Sequence, residues 1–200
     1  IKYVDSGEMR AMNHNGRECT IPYIVMEKAD SNLVEFIRRT TKIGYEIYAP
    51  QFTGLSEALD LLHKHAIHRD IKPENILIKG ETWLLSDFGL CCYLNNDERI
   101  DITGENEKIG PKYWLSPEAI NRQYFIKEDI CEYSDVFQLC AVFWFTMTRR
   151  HPTGILMKSD WPNTDGKIFE VLTAALSHDK QKRPQNGNEL YKLMLEATLT

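Results

Sequence analysis

The residues best suited to chemistry stand close together near the middle of the sequence. The segment from His68 to Asn75, HRDIKPEN, holds a carboxylate, an ammonium group and an amide, and a second carboxylate, Asp87, comes twelve residues after Asn75. Carboxylate and amide oxygens hold magnesium against phosphate oxygens. A carboxylate can accept the proton of an attacking hydroxyl, and a cation offsets charge on a transferring group. This combination is what phosphoryl transfer requires.

The sequence between these groups predicts a β-hairpin. Ile76 to Ile78 and Thr82 to Leu85 are short strand-forming runs on either side of the turn Lys79-Gly80-Glu81. The two chemically active loops therefore flank one hairpin, which would bring them to a shared cleft.

Upstream, two strands and two helices are expected. Tyr3-Val4 leads to a turn signal at Asp5-Ser6-Gly7, and Ile21 to Met26 is a strand-forming run. Ser31 can cap a short helix, and apolar residues at helical spacing from Leu55 predict a second helix that leads up to Ala66.

Downstream, a long polar segment runs from Tyr93 to Pro111, which in a compact domain is usually a functional loop. After Ser116 the sequence predicts mainly helices, whose apolar stripes we assign to core packing. The stripes are Val136, Leu139, Cys140, Phe143 and Met147; Ile168, Leu172 and Leu176; and Leu190, Leu193 and Met194.

Composition narrows the function classes. The 200 residues carry a formal net charge of −5, which argues against a general nucleic-acid binder, and no apolar run is long enough for a membrane span. The five cysteines include no Cys-x-x-Cys pair, so neither a zinc site nor a disulfide framework is expected. Reduced thiols in a cytoplasmic, intracellular protein fit best; a redox role for Cys91-Cys92 is the weaker alternative.

The order and spacing of HRDIKPEN and Asp87-Phe88-Gly89 resemble the protein kinase superfamily. The resemblance implies ATP and Mg²⁺ as cofactors and a protein as substrate. It makes Asp70 the catalytic base, places Lys72 on the γ-phosphate, and makes Asn75 and Asp87 the magnesium ligands. His68 and Phe88 would stack in the hydrophobic spine of the active state.

Further segments extend the resemblance towards the C-terminus. Ser116-Pro117-Glu118 stands where kinases carry Ala-Pro-Glu, and Arg183 occupies the position of the buried arginine that pairs with this glutamate. We therefore expect an ion pair between Glu118 and Arg183. Asp135 matches the aspartate that opens the central helix and braces the catalytic loop.

The N-terminal part resembles the strand and hinge that hold adenine. Met26 would be the gatekeeper, main-chain groups of Glu27 and Ala29 would bind adenine, and Leu77 would form the floor. The resemblance thus implies an α+β fold. Residues 1–30 would be a remnant of the kinase N-lobe, with two strands and the hinge. Residues 31–200 would be a mainly α-helical C-lobe with short hairpins.

The sequence also departs from the kinase pattern. It shows no Gly-rich loop, no Val-Ala-Ile-Lys strand and no helix carrying the partner glutamate. Because those parts cover and align the phosphates, we expect this polypeptide alone to bind ATP weakly and to transfer phosphate poorly. We also expect the natural protein to carry them before Ile1.

Specificity and regulation give mixed signals. Lys72-Pro73-Glu74 resembles serine/threonine kinases, whereas Gly110-Pro111 and Trp114 resemble tyrosine kinases; we favour serine/threonine. Arg69 could pair with a phosphate on the activation segment. Thr103 is the best acceptor there and Tyr93 the next, although a plain solvated acidic loop explains the segment equally well.

Three function classes remain open. The first is an ATP-dependent protein kinase that transfers the γ-phosphate to a Ser/Thr hydroxyl, with a tyrosine or dual-specificity kinase as its variant. The second is a pseudokinase or scaffold module that regulates a partner protein. The presence of all four residues needed for phosphoryl transfer argues against it; they are Asp70, Lys72, Asn75 and Asp87. The third is a small-molecule kinase, a class that usually lacks the Lys72-Pro73-Glu74 and Pro117-Glu118 features.

Overall fold

The computed structural model describes residues 1–95, 98–100, 111, 113–122, 128–162 and 166–199. Within these ranges the fold is α+β, with six α-helices and three small antiparallel sheets. The expected α+β class, with helices and short β-hairpins, is confirmed. No helix in the described ranges is both long and apolar enough to span a bilayer.

The N-terminal hairpin consists of β1 (Tyr3–Met12) and β2 (Glu18–Met26). Asn13 closes its turn, because its Oδ1 accepts the N–H groups of Asn15 and Arg17 at 3.0 and 2.9 Å. The turn expected at residues 5–7 is wrong. Strand β1 passes straight through, since Ser6 pairs with Ile24, and only a register shift marks residues 3–5. Cross-strand pairing overrides the local turn propensity of that tripeptide.

Two further boundaries differ from the sequence-based expectation. The short helix α1 (Leu33–Arg39) is capped by Asn32, whose Oδ1 accepts the N–H of Glu35. Ser31 instead pairs with Ile78 as part of β3 (Ser31–Asn32), so the Ser31 cap is wrong. The second helix, α2 (Tyr45–His63), begins ten residues before the stripe that predicted it.

Two three-stranded sheets flank the catalytic loop. β3 pairs with β5 (Ile76–Lys79), which pairs with β6 (Thr82–Leu85), so the predicted hairpin is confirmed. The second sheet contains β4 (Ala66–Ile67), β7 (Cys92–Asn95) and β8 (Glu98–Ile100). The segment expected as a loop from Tyr93 therefore begins as strand, because Tyr93 pairs with Ala66.

The remaining helices build the core. They are α3 (Pro117–Arg122), α4 (Glu132–Thr148), α5 (Gly166–Ala175) and α6 (Gly187–Thr198). Helix α4 is the central element, and the rings of Phe52 and Phe143 stack across α2 and α4 with centroids 3.9 Å apart. Most residues of the three predicted stripes are buried, as expected for core helices.

Candidate active site

Asp135, in the first turn of α4, fixes the backbone of the catalytic loop. Its Oδ2 accepts the N–H of His68 at 2.6 Å and its Oδ1 accepts the N–H of Arg69 at 2.8 Å. The carboxylate is 0% exposed, so these charge-assisted bonds are shielded from water. This arrangement is the brace that the resemblance implied for Asp135.

His63, at the end of α2, supports Asp135 from behind. The N–H of Gly187 donates to Nδ1 of His63 at 2.9 Å, while Nε2 lies 3.1 Å from Oδ2 of Asp135. Because Nδ1 accepts a proton donor, the proton of the neutral ring is on Nε2 and points at the carboxylate. Sequence reasoning missed His63, since a histidine at a helix end has no distinguishing local pattern.

The chemical groups of the loop converge on Asp70. Lys72 Nζ lies 2.8 Å from Asp70 Oδ2, and Asn75 Nδ2 donates to both the carbonyl oxygen and Oδ2 of Asp70 at 2.9 Å. Asp70 is almost fully buried. The short 3-10 turn Pro73–Asn75 folds the amide back over the loop, so three of the predicted residues meet within hydrogen-bonding distance.

Ser86, the neighbour of Asp87 in sequence, is hydrogen-bonded to the same loop. Both the N–H and Oγ of Ser86 donate to the carbonyl oxygen of Asn75, at 2.9 and 2.8 Å. Asp87 itself has φ 63°, an uncommon left-handed conformation that turns the chain at this point. Its Oδ1 accepts the N–H of Gly89 at 3.3 Å.

The His68 side chain joins the two loops. Its Nε2 lies 3.1 Å from the carbonyl oxygen of Ser86, and its ring centroid is 5.4 Å from that of Phe88 at an interplanar angle of 50°. The two rings are therefore in tilted contact rather than parallel. Phe88 remains 49% exposed.

Asn75 and Asp87 have the donor atoms that Mg²⁺ prefers. The two bonds from Nδ2 to Asp70 fix the Asn75 amide, so that its Oδ1 is directed away from Asp70. In the described ranges no group of three or more His, Cys, Asp or Glu side chains could hold a metal alone. Magnesium is commonly bound by one or two carboxylates together with substrate phosphates, so these residues fit that ion.

The hinge segment after β2 is attached to the β5–β6 turn. Lys79 Nζ lies 3.2 Å from Glu27 Oε1 and donates to the carbonyl oxygen of Lys28, and the N–H of Gly80 donates to Asp30. The hydrogen bond and charge of Lys79 lower the pKa of Glu27. The N–H of Glu27 donates to the carbonyl oxygen of Lys2 at 2.8 Å.

Three other residues predicted to surround adenine have different environments. Met26 is 59% exposed at the end of β2, whereas Ala29 is partly buried. Leu77 is partly buried in β5, where it pairs with Asn32 and Leu84. The predicted hinge segment is thus joined to β5 through β3, which follows it in the chain and pairs with β5.

The predicted ion pair between Glu118 and Arg183 is present. Arg183 donates to both carboxylate oxygens at 2.9 and 3.0 Å, and Ser134 Oγ donates to Oε1 of Glu118 at 2.6 Å. Burial raises the pKa of Glu118, but the hydrogen bonds from Arg183 and Ser134 together lower it by more, so the net pKa lies below its ordinary value. Both side chains are buried.

The adjacent cysteines lack the features of a redox pair. Cys91 and Cys92 are buried and unbridged. Burial, helped by the charge of Asp135, raises the pKa of Cys91 to about 12. Because the thiolate is the reactive form, this thiol stays protonated and inert at neutral pH.

Of the residues predicted to take part in regulation, only some lie within the described residues. Thr103 lies outside the described residues, while Tyr93 is exposed and Arg69 is buried. Trp114 at the end of the segment is buried, with its ring centroid 4.6 Å from that of His151.

Comparison with known proteins agrees with this geometry. The protein kinase domain family matches residues 11–200, and the chain belongs to that family. A probable serine/threonine-protein kinase from Clostridium acetobutylicum is 35% identical over 189 residues, which cover 88% of this chain and 28% of that protein. Calcium-dependent protein kinase 8 of Arabidopsis thaliana is 31% identical over 179 residues, or 80% of this chain and 32% of that protein. The chain thus spans about a third or less of these relatives' length.

Proposed function

We propose that this chain carries the catalytic centre of an ATP-dependent protein kinase that transfers the γ-phosphate to a serine or threonine hydroxyl. The observation that carries this proposal is the hydrogen-bonded cluster of Asp70, Lys72 and Asn75, with the Asp87 segment hydrogen-bonded to it through Ser86. ATP and Mg²⁺ are the general cofactors of this family.

Asp70 is suited to receive the substrate hydroxyl. Lys72 and Asn75 both bind its Oδ2, while its Oδ1 accepts no hydrogen bond from the described residues. That oxygen can therefore accept the hydroxyl proton as the nucleophile forms. Lys72, which is partly exposed beside it, can place its charge on the transferring phosphate.

Asn75 and Asp87 would hold the metal. Magnesium bridging the phosphate oxygens supplies charge neutralisation during transfer. The hydrogen bonds from Asn75 Nδ2 to Asp70 orient the amide oxygen for this task. The left-handed backbone of Asp87 turns that residue out of the strand direction set by β6.

Residues 1–30 are proposed to belong to the N-lobe and residues 31–200 to the C-lobe. In this assignment Met26, Glu27 and Ala29 border the adenine and Leu77 lies below it. The contacts of Lys79 with Glu27 and Lys28 support it, because they hold the hinge against the strand that carries Leu77.

The choice of serine/threonine over tyrosine rests on Lys72-Pro73-Glu74 and agrees with the names of the relatives. A tyrosine or dual-specificity kinase is the second candidate, favoured by Pro111 and Trp114 in the substrate-docking segment. Phosphoamino-acid analysis of the products separates the two. Phosphotyrosine as the sole product would reject the serine/threonine assignment.

The activity is tested with the full natural protein, Mg²⁺–ATP and a panel of protein and small-molecule acceptors. Asp70→Asn should lower kcat by about 10²–10⁴-fold, the usual contribution of a positioned base. Asp60→Asn is the matched control, because the contacts of the Asp60 carboxylate within the described residues are limited to an ion pair with Lys64 at 3.4 Å. Wild-type protein that binds nucleotide without phosphorylating any acceptor would favour the pseudokinase alternative.

Control by phosphorylation at Thr103 is proposed as an addition to this function. A phosphate there could pair with the arginine of the catalytic loop. Thr103→Ala should prevent activation of the full natural protein by phosphorylation, and unchanged activity in that variant would end the proposal.

A further inference from the structure

The catalytic loop has an unusual pattern of backbone hydrogen bonds. The N–H groups of residues 68 to 71 all donate to side chains, and among the described residues none of them donates to another backbone group. Asp135 accepts the first two, and Nδ1 of His68 accepts the N–H of Asp70 at 3.3 Å. The fourth, the N–H of Ile71, donates to Oε1 of Gln138 at 3.0 Å.

Gln138 holds the loop at a second point as well. Its Nε2 donates to the carbonyl oxygen of Arg69 at 3.3 Å. One side-chain amide therefore spans the peptide groups immediately before and after Asp70. Gln138 lies three residues after Asp135 on α4, so the two side chains project from neighbouring positions on the helix. It is only 2% exposed.

The backbone at this point needs such support. Arg69 has φ 69°, a left-handed conformation that a residue with a Cβ adopts only when its surroundings hold it there. Asp135 fixes the N–H side of Arg69 and Gln138 fixes its carbonyl side. Without Gln138, the carbonyl of Arg69 and the N–H of Ile71 would lose their partners in a buried region, which is unfavourable.

We propose that Gln138 is a positioning residue that sets the orientation of Asp70 by clamping the two peptide groups on either side of it. The inference rests on the proposed phosphoryl transfer and adds a residue to it. Gln138 touches no reacting atom; it acts through the backbone of the base. Its loss should therefore affect the chemical step more than nucleotide binding, for which Asn75 and Asp87 remain in place.

The test uses Gln138→Met in the full natural protein, because methionine keeps the length of the side chain but makes neither hydrogen bond. Misplacing a catalytic group by about 1 Å can cost about 10²-fold in rate. A smaller displacement of Asp70 in this variant should lower kcat by about tenfold. The KM for ATP should change by less than about twofold, because the contacts that bind the nucleotide equally in the ground state and the transition state are left intact. Amide hydrogen exchange should become faster at residues 69–71.

Gln51→Met is the matched control. Gln51 Oε1 accepts the N–H of Trp83 at 2.9 Å, so the same substitution removes a side-chain-to-backbone bond outside the catalytic loop. It should leave kcat and the exchange at residues 69–71 unchanged. An unchanged kcat in Gln138→Met, or an equal loss in the control, would overturn the positioning role.

Gln138→Glu is a second variant. If Gln138→Met does not fold, Gln138→Glu keeps the length and the acceptor for Ile71. It should retain slow exchange at Ile71 while still lowering kcat; a wild-type kcat would refute the clamp. If the wild type transfers no phosphate, the proposed function fails. The amide exchange rates of residues 69–71 in Gln138→Met then decide separately whether Gln138 holds the loop. Rates equal to those of the wild type would reject that role.

Discussion

The catalytic loop and the β1–β2 hairpin differ in how they are held. The loop has almost no regular structure, yet it is buried and bonded to side chains of α4. The hairpin has a regular ladder over most of its length, but its large apolar side chains are exposed. These are Tyr3, Val4, Met9, Met12, Ile21, Tyr23, Ile24, Val25 and Met26.

This difference shows that regular secondary structure and burial are separate properties. A two-stranded hairpin without a packed face gains little from burial, whereas an irregular loop gains stability when every buried polar group is paired. Substitutions in the packed part of the molecule should therefore cost more stability than substitutions in the exposed hairpin. The predictions below test that division.

The largest effect should come from breaking the buried ion pair that anchors α3 to the end of the chain. Arg183→Met leaves the Glu118 carboxylate buried without its partner, which should cost about 3–5 kcal/mol in the free energy of unfolding. Chemical denaturation measures this cost. Arg39→Met is the control, because the contacts of the Arg39 guanidinium within the described residues are limited to an exposed ion pair with Glu35 at 3.7 Å. Equal losses in the two variants would contradict the structural role of the pair.

A smaller effect should follow from adding one methyl group where α6 approaches α2. A Cβ on Gly187 would lie 2.7 Å from the Cα of Asp60, so backbone would have to move. Such overpacking typically costs about 1–3 kcal/mol. Thermal denaturation of Gly187→Ala should show it. Gly54→Ala in α2 is the control, since a Cβ there meets no atom within 4 Å.

The buried ion pair of Glu118 and Arg183 predicts that the free energy of unfolding depends on pH. Because the pKa of Glu118 is lower in the folded protein than its ordinary 4.5, its contribution to stability is present above about that pH. The contribution is lost as the pH falls through the folded value. Denaturation curves between neutral and acid pH should show this loss, and Glu118→Gln should remove that part of the dependence. An unaltered acid profile in the variant would contradict the assignment.

The smallest effect is expected in the hairpin. Ile24 in β2 is 66% exposed and Ile76 in β5 is 0% exposed. Ile24→Ala should change the free energy of unfolding by less than about 0.5 kcal/mol, whereas Ile76→Ala should cost about 2–5 kcal/mol. Both variants replace an isoleucine in a strand by alanine. Similar losses in the free energy of unfolding would therefore contradict the difference between the two regions.

The sequence predicted the chemical centre better than the boundaries of the elements. HRDIKPEN and Asp87 were recognisable because their chemistry depends on residue type at fixed spacing. The β5–β6 hairpin, predicted from strand-forming runs around a turn, is present. The ion pair between Glu118 and Arg183, which the resemblance implied, is also present. The adenine-site residues remain predictions, because backbone contacts with a base leave little mark on side-chain identity.

The errors have a common physical cause. The turn expected at Asp5, the cap expected at Ser31 and the loop expected from Tyr93 were all inferred from local propensity. In each case pairing with another strand decided the outcome: Asp5 pairs with Val25, Ser31 with Ile78 and Tyr93 with Ala66. The supporting roles of His63 and Gln138 were missed for a similar reason, since their partners are distant in sequence.

The central claim is that Asp70, Asn75 and Asp87 serve one magnesium–nucleotide site. Calorimetric titration of the full natural protein with ATP, with and without Mg²⁺, tests it most directly. The account predicts binding that Mg²⁺ strengthens, and a loss of that strengthening in Asp87→Asn but not in Asp60→Asn. Binding that is independent of Mg²⁺, or unaffected by Asp87→Asn, would contradict it.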